Sequence, residues 1–353
     1  MPDWTKSMQQ TFEYYTVDPG TWKDNKKLDN ITKSTIVRDE DAETLGSATF
    51  DIVGSLGECY IRVYLVTVQN GITEKFSLGT FLAQTPKSKF DGKIMTVSTD
   101  AYTPLLELKE NPPPIGYSIL KKEKIIATAY KIMREQMRAP VFNVSSDEER
   151  LYTDFVANGN DTWLSFIKDL IANAKYNLGL DELGRVLFLP VQETASLQPV
   201  WEYNDDNSSI LYPELNLEHD IYGIPNVVEV CYSRGNHVYY ARVVNDDANS
   251  PTSTVNRGRE ITYRATDPEM SGEPTQYQIN EYAKSLLKEK STVEYTISYS
   301  HGYCPVRLGD CVRLNYERSG IKDVKAKVIS QNITCEPGCK VTETAVFTTK
   351  LWG

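Results

Sequence analysis

The sequence has few of the residues, and none of the local patterns, on which enzymes and exported proteins usually depend. Its 353 residues contain three histidines and six cysteines. No apolar run approaches the roughly 18 residues that cross a bilayer. The first residues, 1–6, do not show a charged segment followed by an apolar stretch. We therefore expect a protein that neither inserts into a membrane nor carries an export signal, and whose thiols are kept reduced.

Catalytic signatures are also missing. The histidines, His219, His237 and His301, are dispersed, and none lies in an H-E-x-x-H spacing. His219 is flanked by Glu218 and Asp220, but neighbouring residues of a strand point to opposite faces, so a shared site is not expected. The chain has no G-x-S-x-G elbow, P-loop or dinucleotide fingerprint. We predict a protein that is not an enzyme and holds no cofactor.

The formal net charge of −10 argues against sequence-independent nucleic-acid binding, which needs a basic patch to neutralise phosphates. Two readings remain open. The charge can simply keep the protein soluble. Alternatively, a negatively charged surface of the protein can repel a polyanion that moves along it.

The cysteines leave two alternatives open. Four of them lie near the C-terminus, as Cys304, Cys311, Cys335 and Cys339. The last two have three residues between them, which fits a structural zinc site, whereas Cys304 and Cys311 are too far apart for a zinc knuckle. Disulfide pairing is a further alternative. Isolated buried thiols are the interpretation that we favour, and no metal is predicted.

Length and pattern indicate several domains. A chain of this length exceeds what one core usually supports. Residues 1–30 show no sustained period and are expected to form an arm. Alternating residues predict strands near 46–54, 58–69, 72–84 and 93–99, with Asn70–Gly71 as a hairpin turn. The prolines at 112–114 mark a boundary.

Helices and a hairpin follow, and then a second β-rich block. Apolar spacing predicts one helix at about 121–138 and another beginning after Asp161. Residues 177–191 form a predicted hairpin. The second block is expected to contain strands near 225–230, 238–243, 293–299, 323–334 and 340–351, with a helix at 275–289.

The order of five elements resembles the baseplate hub family of bacteriophage tails and related contractile injection particles, which includes the hubs of defective Bacillus prophages and of T4-type baseplates. The elements cover the chain from about residue 45 to its end. They are the strand end Leu78–Phe81 with Gly79 and Thr80, the step around Asp100, the hairpin 176–185 with Gly184, the segment 257–260, and the turn Gly309–Asp310.

This resemblance implies a fold and a function. It implies a mainly β fold of the α+β class. Two barrel-like antiparallel domains of tail-tube type, at 31–115 and 197–353, would be separated by a helical insert at 116–196. It implies a homotrimeric ring in the virion that joins the hexameric tail tube to a spike or fibre. Gly79, Thr80, Phe81, Asp100, Gly184, Gly309 and Asp310 would have structural roles.

The implied partners are the tail tube or distal tail protein, the spike or central fibre, baseplate wedge or peripheral proteins, the tape-measure protein and, in passage only, DNA. The protein would be made in the cytoplasm of a bacterial host. Some family members continue into a wall-degrading domain; because this sequence ends directly after a strand, we expect any such activity on another polypeptide. Two alternatives stay open: a tail-associated cell-wall hydrolase, and a metal-stabilised module that binds the host surface.

Overall fold

The computed structural model describes residues 2–90, 92–144, 148–192, 194–206, 209–234, 237–268 and 274–352. The chain is mainly β, with mostly antiparallel sheets, as predicted. It divides into two compact units. Unit 1 comprises residues 1–215 and 299–345, and unit 2 comprises residues 216–298 and 346–353. The four-part division expected from the sequence stays a prediction.

Twenty strands and five helices form the described part of the chain. The strands are β1 Gln9–Val17, β2 Asp24–Leu28, β3 Ile31–Asp39, β4 Gly46–Val53, β5 Cys59–Gln69, β6 Ile72–Phe90, β7 Met95–Tyr102, β8 Ser118–Ile119, β9 Phe155–Val156, β10 Tyr176–Leu180, β11 Val186–Pro190, β12 Pro199–Asn204, β13 Leu211–His219, β14 Val227–Arg234, β15 His237–Val244, β16 Thr262–Thr266, β17 Thr292–Gly302, β18 Cys311–Tyr316, β19 Ile321–Thr334 and β20 Lys340–Lys350. The helices are α1 Leu106–Glu110, α2 Ile125–Gln136, α3 Trp163–Ala172, α4 Thr254–Arg257 and α5 Gln276–Lys290. Along the described residues, none of the helices is both long and apolar enough to span a bilayer.

Unit 1 is built on one large sheet. Its strands follow the order β2, β1, β5, β6, β7, β4, β3, β19, and β19 also pairs with β18, which pairs with β12. The pair β3–β19 joins Ile36 to Ile333, so residues almost 300 positions apart lie side by side. β12 and β18 are parallel, unlike the other pairs along this path. The sheet therefore unites the two ends of the sequence.

The structure corrects the expectation for residues 1–30 in one respect. β1 and β2 lie in this segment, and β1 pairs with β5 from Gln9 opposite Val68 to Val17 opposite Tyr60. Only Tyr14 and Val17 of β1 are buried. Because most of the remaining positions are polar, and the aromatic residues Phe12 and Tyr15 are only half-buried, the alternation that identifies a strand is weak here.

Helices α2 and α3 form a core with the β10–β11 hairpin. Ile126, Met133, Phe166 and Ile167 are almost completely buried in it. Thr162 caps α3 by accepting a hydrogen bond from the backbone amide of Ser165 at 3.1 Å, as Thr does at helix N-termini. The two helices and the hairpin were predicted from sequence periodicity, and their positions are confirmed.

Unit 2 contains a three-stranded sheet with one covering helix. β14 lies between β15, which is antiparallel to it, and β16, which is parallel to it. Ile279, Ala283 and Leu287 of α5 pack with Val228 and Val230 of β14. The predicted helix at 275–289 and the predicted strands near 225–230 and 238–243 are therefore confirmed.

Candidate functional site

A β-bulge in β6 shapes the first part of the site. Val63 pairs with Gly79 and Tyr64 pairs with Ser77, so Leu78 is the extra residue of the bulge. Arg38 donates a hydrogen bond to the Leu78 carbonyl at 2.7 Å. A Cβ added to Gly79 would lie 2.5 Å from ring atoms of Phe81. Glycine is required here because the Phe81 ring covers the backbone, and bulges of this kind often redirect side chains beside functional sites.

The turn between β10 and β11 supplies the second part. Asp181 accepts hydrogen bonds from the backbone amides of Leu183 at 3.0 Å and Arg185 at 2.8 Å. Gly184 has a φ of +72°, and a Cβ added there would lie 2.8 Å from the Thr80 Cβ. Gly184 thus satisfies both a left-handed backbone position and a close approach to β6.

Arg62, in β5, connects this turn to the large sheet. Its guanidinium donates to the Thr80 hydroxyl at 2.9 Å, to Asp24 at 2.8 Å and to the carbonyl oxygens of Trp22 and Leu183 at 3.2 Å. The Trp22 indole also donates to Leu183, at 2.8 Å. Arg62 is 4% exposed. A buried guanidinium is tolerated only when its donors are paired in this way.

The third part is the turn before β18. Gly309 has a φ of +83°, and its amide donates to the Val328 carbonyl at 2.8 Å. The Asp310 carboxylate accepts a hydrogen bond from the Arg307 amide at 2.9 Å. The Arg307 side chain forms an ion pair with Glu182, which joins this turn to the one between β10 and β11.

These three parts surround a cleft of about 480 Å³, a size at which proteins bind ligands or side chains of partners. Its walls include six of the seven residues singled out in the sequence: Gly79, Thr80, Phe81, Gly184, Gly309 and Asp310. We call it the central cleft. The structure thus brings together residues that are about 230 positions apart in the sequence, within unit 1.

Charged groups of both signs line the central cleft among apolar side chains. Lys327 donates to Glu40 at 2.6 Å, and Glu182 is paired with Arg307. Burial raises the pKa of Asp310, and hydrogen bonding to the Arg307 amide only partly offsets it. The cleft can therefore hold apolar groups while its rim makes ionic contacts.

A second buried polar network lies in unit 1 around Glu343. The Tyr299 hydroxyl and the Gln331 amide both donate to its carboxylate, the latter at 2.7 Å. His301 Nε2 lies 3.5 Å from Glu343 Oε2, and both side chains are 0% exposed. Gln331 also accepts from Arg38 at 2.9 Å. Through Arg38, the network reaches the wall of the central cleft.

The pKa shifts indicate an ion pair inside this network. Burial opposes the protonated form of His301, but its contacts with Cys304 and Glu343 outweigh burial and raise its pKa to about 10. Burial also opposes ionised Glu343, yet His301, Tyr299 and Gln331 together lower its pKa. At neutral pH the pair is therefore imidazolium and carboxylate.

The four C-terminal cysteines are buried, and Cys335 lies close enough to Cys339 to contribute to its raised pKa. Cys304 lies 3.3 Å from the Tyr203 hydroxyl, and Cys311 begins β18. Burial raises the pKa of Cys335 to about 11 and also raises that of Cys339. Among the described residues, no group of three or more His, Cys, Asp or Glu side chains could hold a metal ion.

The other predicted residues lie elsewhere. Asp100 is in β7, where its carboxylate is 3.1 Å from Lys87, and it does not line the central cleft. In unit 2, His219 stacks on Tyr295 with ring centroids 4.6 Å apart, and His237 lies beside Tyr239. The proposed structural roles of the seven signature residues stay a prediction.

Sequence reasoning missed Arg62, Glu343 and the inward position of His301. A usable signal existed for the last two. Val341, Glu343 and Ala345 alternate as buried positions of β20, and His301 continues the buried alternation of Ile297 and Tyr299 in β17. Strand period places these side chains inside, whereas their polarity argues for the surface.

Comparison with known proteins identifies the class of fold. No protein-family model matches the chain, and a search of curated proteins found no match. Solved structures of tail proteins do match along nearly the whole chain. The fold is therefore one that phage-type tail proteins share, which confirms the resemblance at this coarse level, while the narrower assignment to baseplate hubs stays a prediction.

Three of these structures are informative. The tail protein from Neisseria meningitidis MC58 is 12% identical with a TM-score of 0.61, and the match covers 96% of each chain. The 43 kDa tail protein of prophage MuSo2 from Shewanella oneidensis is 12% identical with a TM-score of 0.58, covering 95% of this chain and 98% of that one. A chain of the half-lidded Francisella PdpA–VgrG complex is 9% identical with a TM-score of 0.56, covering 97% of this chain and 58% of that one.

Proposed function

We propose that this protein is a structural component of a phage-type tail and acts as its baseplate or tail-tip hub. The observation that carries the proposal is the likeness to two tail proteins over at least 95% of each chain, with TM-scores of 0.61 and 0.58. A match of that extent concerns the whole architecture, including the helical insert, and not one common sheet motif.

The interior of unit 1 supports a mechanical role. Strands from both ends of the sequence share one sheet through β3 and β19. Arg62 and Glu343 each hold several chain segments together by buried hydrogen bonds. A part that transmits force benefits from such connections, because pulling on one segment loads the others through packed contacts.

A non-enzymatic role is supported by the placement of the reactive groups. His301 and Cys304 are buried with 0% and 2% exposure, where no substrate reaches them. His219 and His237 are engaged with aromatic rings of unit 2. These observations disfavour a cell-wall hydrolase that uses a histidine or cysteine, because such an enzyme needs these groups in an open cleft.

The complete proposal is a homotrimeric ring in the virion. Two tube-type domains per copy would give the ring pseudo-sixfold symmetry, matching a hexameric tail tube on one side and a spike or fibre on the other. The insert would face peripheral baseplate proteins, and the lumen would pass the tape-measure protein and DNA. The net charge of −10 suits such a lumen if carboxylates line it, since like charges repel the duplex.

The test is the mass of the purified full chain in solution. We expect light scattering to give three times the 40.0 kDa of one chain, with the trimer fraction rising with concentration. The same fraction should release nothing from purified cell walls. A protein that stays monomeric at every concentration and degrades cell walls would contradict the proposal.

A further inference from the structure

The turn between β19 and β20 carries two of the buried cysteines, one on each side. β19 ends at Thr334 and β20 begins at Lys340, and the two strands are neighbours in the large sheet. Cys335 and Cys339 are the first residues beyond these two strand ends. Cys335 is 5% exposed and Cys339 is 1% exposed. One tight turn therefore encloses two thiols.

The cross-strand register places the two cysteines opposite each other. Gln331 of β19 donates to the Glu343 carboxylate of β20 at 2.7 Å. A step of four residues toward the turn on each strand leads to Cys335 and Cys339, on the same inward face. Directly opposite side chains have Cβ atoms about 4.5–5.5 Å apart, and a disulfide needs about 3.5–4.5 Å. A small movement therefore brings the two sulfur atoms into bonding range.

The turn also fixes Cys339 in an unusual backbone conformation. Its φ is +35°, in the left-handed region that residues with a Cβ seldom adopt. The Cys339 amide donates to the Glu336 carbonyl at 2.8 Å, and the Gly338 amide donates to the Gln10 side chain at 3.1 Å. A strained position occupied by cysteine instead of glycine or asparagine indicates a role for its side chain.

We propose that Cys335 and Cys339 form a dithiol that a peroxide closes reversibly into a disulfide across the turn between β19 and β20. The Cys335 thiolate attacks one peroxide oxygen, the O–O bond breaks, and Cys335 becomes a sulfenic acid while one water leaves. The Cys339 thiol then attacks the Cys335 sulfur, the S–S bond forms, and a second water leaves. The two sulfur atoms are oxidised, and the peroxide is reduced to two water molecules.

Burial sets the rate of this reaction and the order of its steps. Cys335 is the more exposed of the two thiols, so it is the one that meets the oxidant. Burial raises the pKa of both thiols, and since the thiolate is the reactive form, closure is slow. The pair therefore stays reduced in a reducing compartment and closes on long exposure to an oxidising one. This inference does not depend on the proposed function.

The test counts free thiols in one peptide of the full-length protein. Trypsin releases residues 328–340 as a peptide that contains Cys335, Cys339 and no other cysteine. The reduced protein is exposed to hydrogen peroxide and unfolded, and its free thiols are blocked with N-ethylmaleimide before digestion. We expect the peptide to change from two labels to none and to regain both after treatment with dithiothreitol. The peptide that carries Cys311, which is also buried, should keep its label.

The oxidation equilibrium measures whether the folded protein favours the bridge. Native and urea-unfolded protein are equilibrated in glutathione buffers of graded ratio, and the labels on the same peptide are counted. Because the fold holds the two thiols opposite each other, the native equilibrium constant should exceed the unfolded one by about 30-fold, the value for a loop of about five residues. A native constant equal to or below the unfolded one would overturn the proposal.

Two variants separate the dithiol from general thiol oxidation. Cys339→Ala should leave Cys335 as a sulfenic acid or a mixed disulfide with glutathione, with no internal bridge. Cys311→Ala is the matched control, since Cys311 is 2% exposed, and it should form the bridge as the wild type does. The wild-type measurements hold even if a variant fails to fold. Sulfinic acid at Cys335 beside a labelled Cys339, or a bridge from Cys335 to another cysteine, would overturn the proposal.

Discussion

Two buried polar networks reach the central cleft, and they solve the problem of buried charge differently. Arg62 is satisfied by carbonyl oxygens, one hydroxyl and Asp24, whose side chain is 30% exposed. Glu343 is satisfied by His301, Tyr299 and Gln331, all fully enclosed. The Arg62 network is built around a guanidinium, whereas the Glu343 network pairs an imidazole with a carboxylate. The difference teaches that the more enclosed network, built on a His–Glu pair, is the one that makes the stability of the fold depend on pH.

Removing the carboxylate should have the largest effect. Glu343→Leu leaves the Tyr299 hydroxyl, the Gln331 amide and the His301 ring without their acceptor. We therefore expect a loss of about 4 kcal/mol in the free energy of unfolding. Urea titration followed by tryptophan fluorescence measures it, since four of the five tryptophans lie in unit 1. His301→Leu combined with Glu343→Leu should recover part of the loss. A change under 1 kcal/mol in the single variant would rule out the buried ion pair.

Removing the guanidinium should cost slightly less. Arg62→Met keeps the length of the side chain but removes the donor to the Thr80 hydroxyl and to the Trp22 carbonyl oxygen. The Leu183 carbonyl keeps its hydrogen bond from the Trp22 indole, and Asp24 can turn to water. We expect a loss of about 3 kcal/mol by the same titration. Arg264→Met is the matched control because Arg264 is 76% exposed in its ion pair; it should change stability by less than about 1 kcal/mol. Equal losses in the two variants would contradict the account.

The pH dependence should separate the two networks. The pKa of His301 is raised, so its contribution is complete below its ordinary pKa of 6.5 and is lost as pH rises to about 10. The pKa of Glu343 is lowered, so its contribution is lost as pH falls below 4.5. Between pH 7 and 10, wild-type stability should fall by up to about 1.4 kcal/mol per pH unit more than that of the His301→Leu/Glu343→Leu variant. Parallel curves would show that the pair does not titrate as described.

The close approach at Gly184 links the Arg62 network to the central cleft. Gly184→Ala introduces a Cβ 2.8 Å from Thr80, the residue that accepts a hydrogen bond from Arg62, and it also strains a positive φ. We expect a loss of about 2 kcal/mol in thermal or urea unfolding. Gly116 has a similar φ of +77° with no atom within 4 Å, so Gly116→Ala should cost only about 1 kcal/mol. A Gly184 variant no worse than the Gly116 variant would argue against the close contact.

The smallest effect concerns thiol chemistry and leaves stability unchanged. With a pKa raised to about 11, Cys335 should be alkylated at pH 8 at least about 100-fold more slowly than a free thiol, because the thiolate is the reactive form. Mass spectrometry of peptides after timed iodoacetamide treatment measures this, and the urea-unfolded protein is the control. Rapid labelling of native Cys335 would show an accessible thiolate and would revive the metal-binding alternative.

Local pattern was enough to predict much of the fold. The helices α2, α3 and α5 and the strands β4, β5 and β19 lie within a few residues of their predicted bounds, because each has a clear apolar period. Strand β1 was missed since it presents only Tyr14 and Val17 to the interior. The β3–β19 pairing depends on contacts between distant segments, which no local window contains.

The central cleft was half predictable. Gly79, Gly184 and Gly309 were identified as turn or strand-end residues. Gly79 and Gly184 each lie where a Cβ would be too close to a neighbour, and Gly184 and Gly309 have a positive φ. Their meeting at one cleft depends on tertiary contacts. Arg62 could not be predicted as buried, because only the assembled carbonyl oxygens of Trp22 and Leu183 make its burial favourable.

The most direct test of the central claim is electron microscopy of the purified full-length protein, with class averages calculated without imposed symmetry. The account predicts rings with threefold symmetry and a central hole wide enough for a DNA duplex. Closed particles with no hole, or rings of another symmetry, would contradict it.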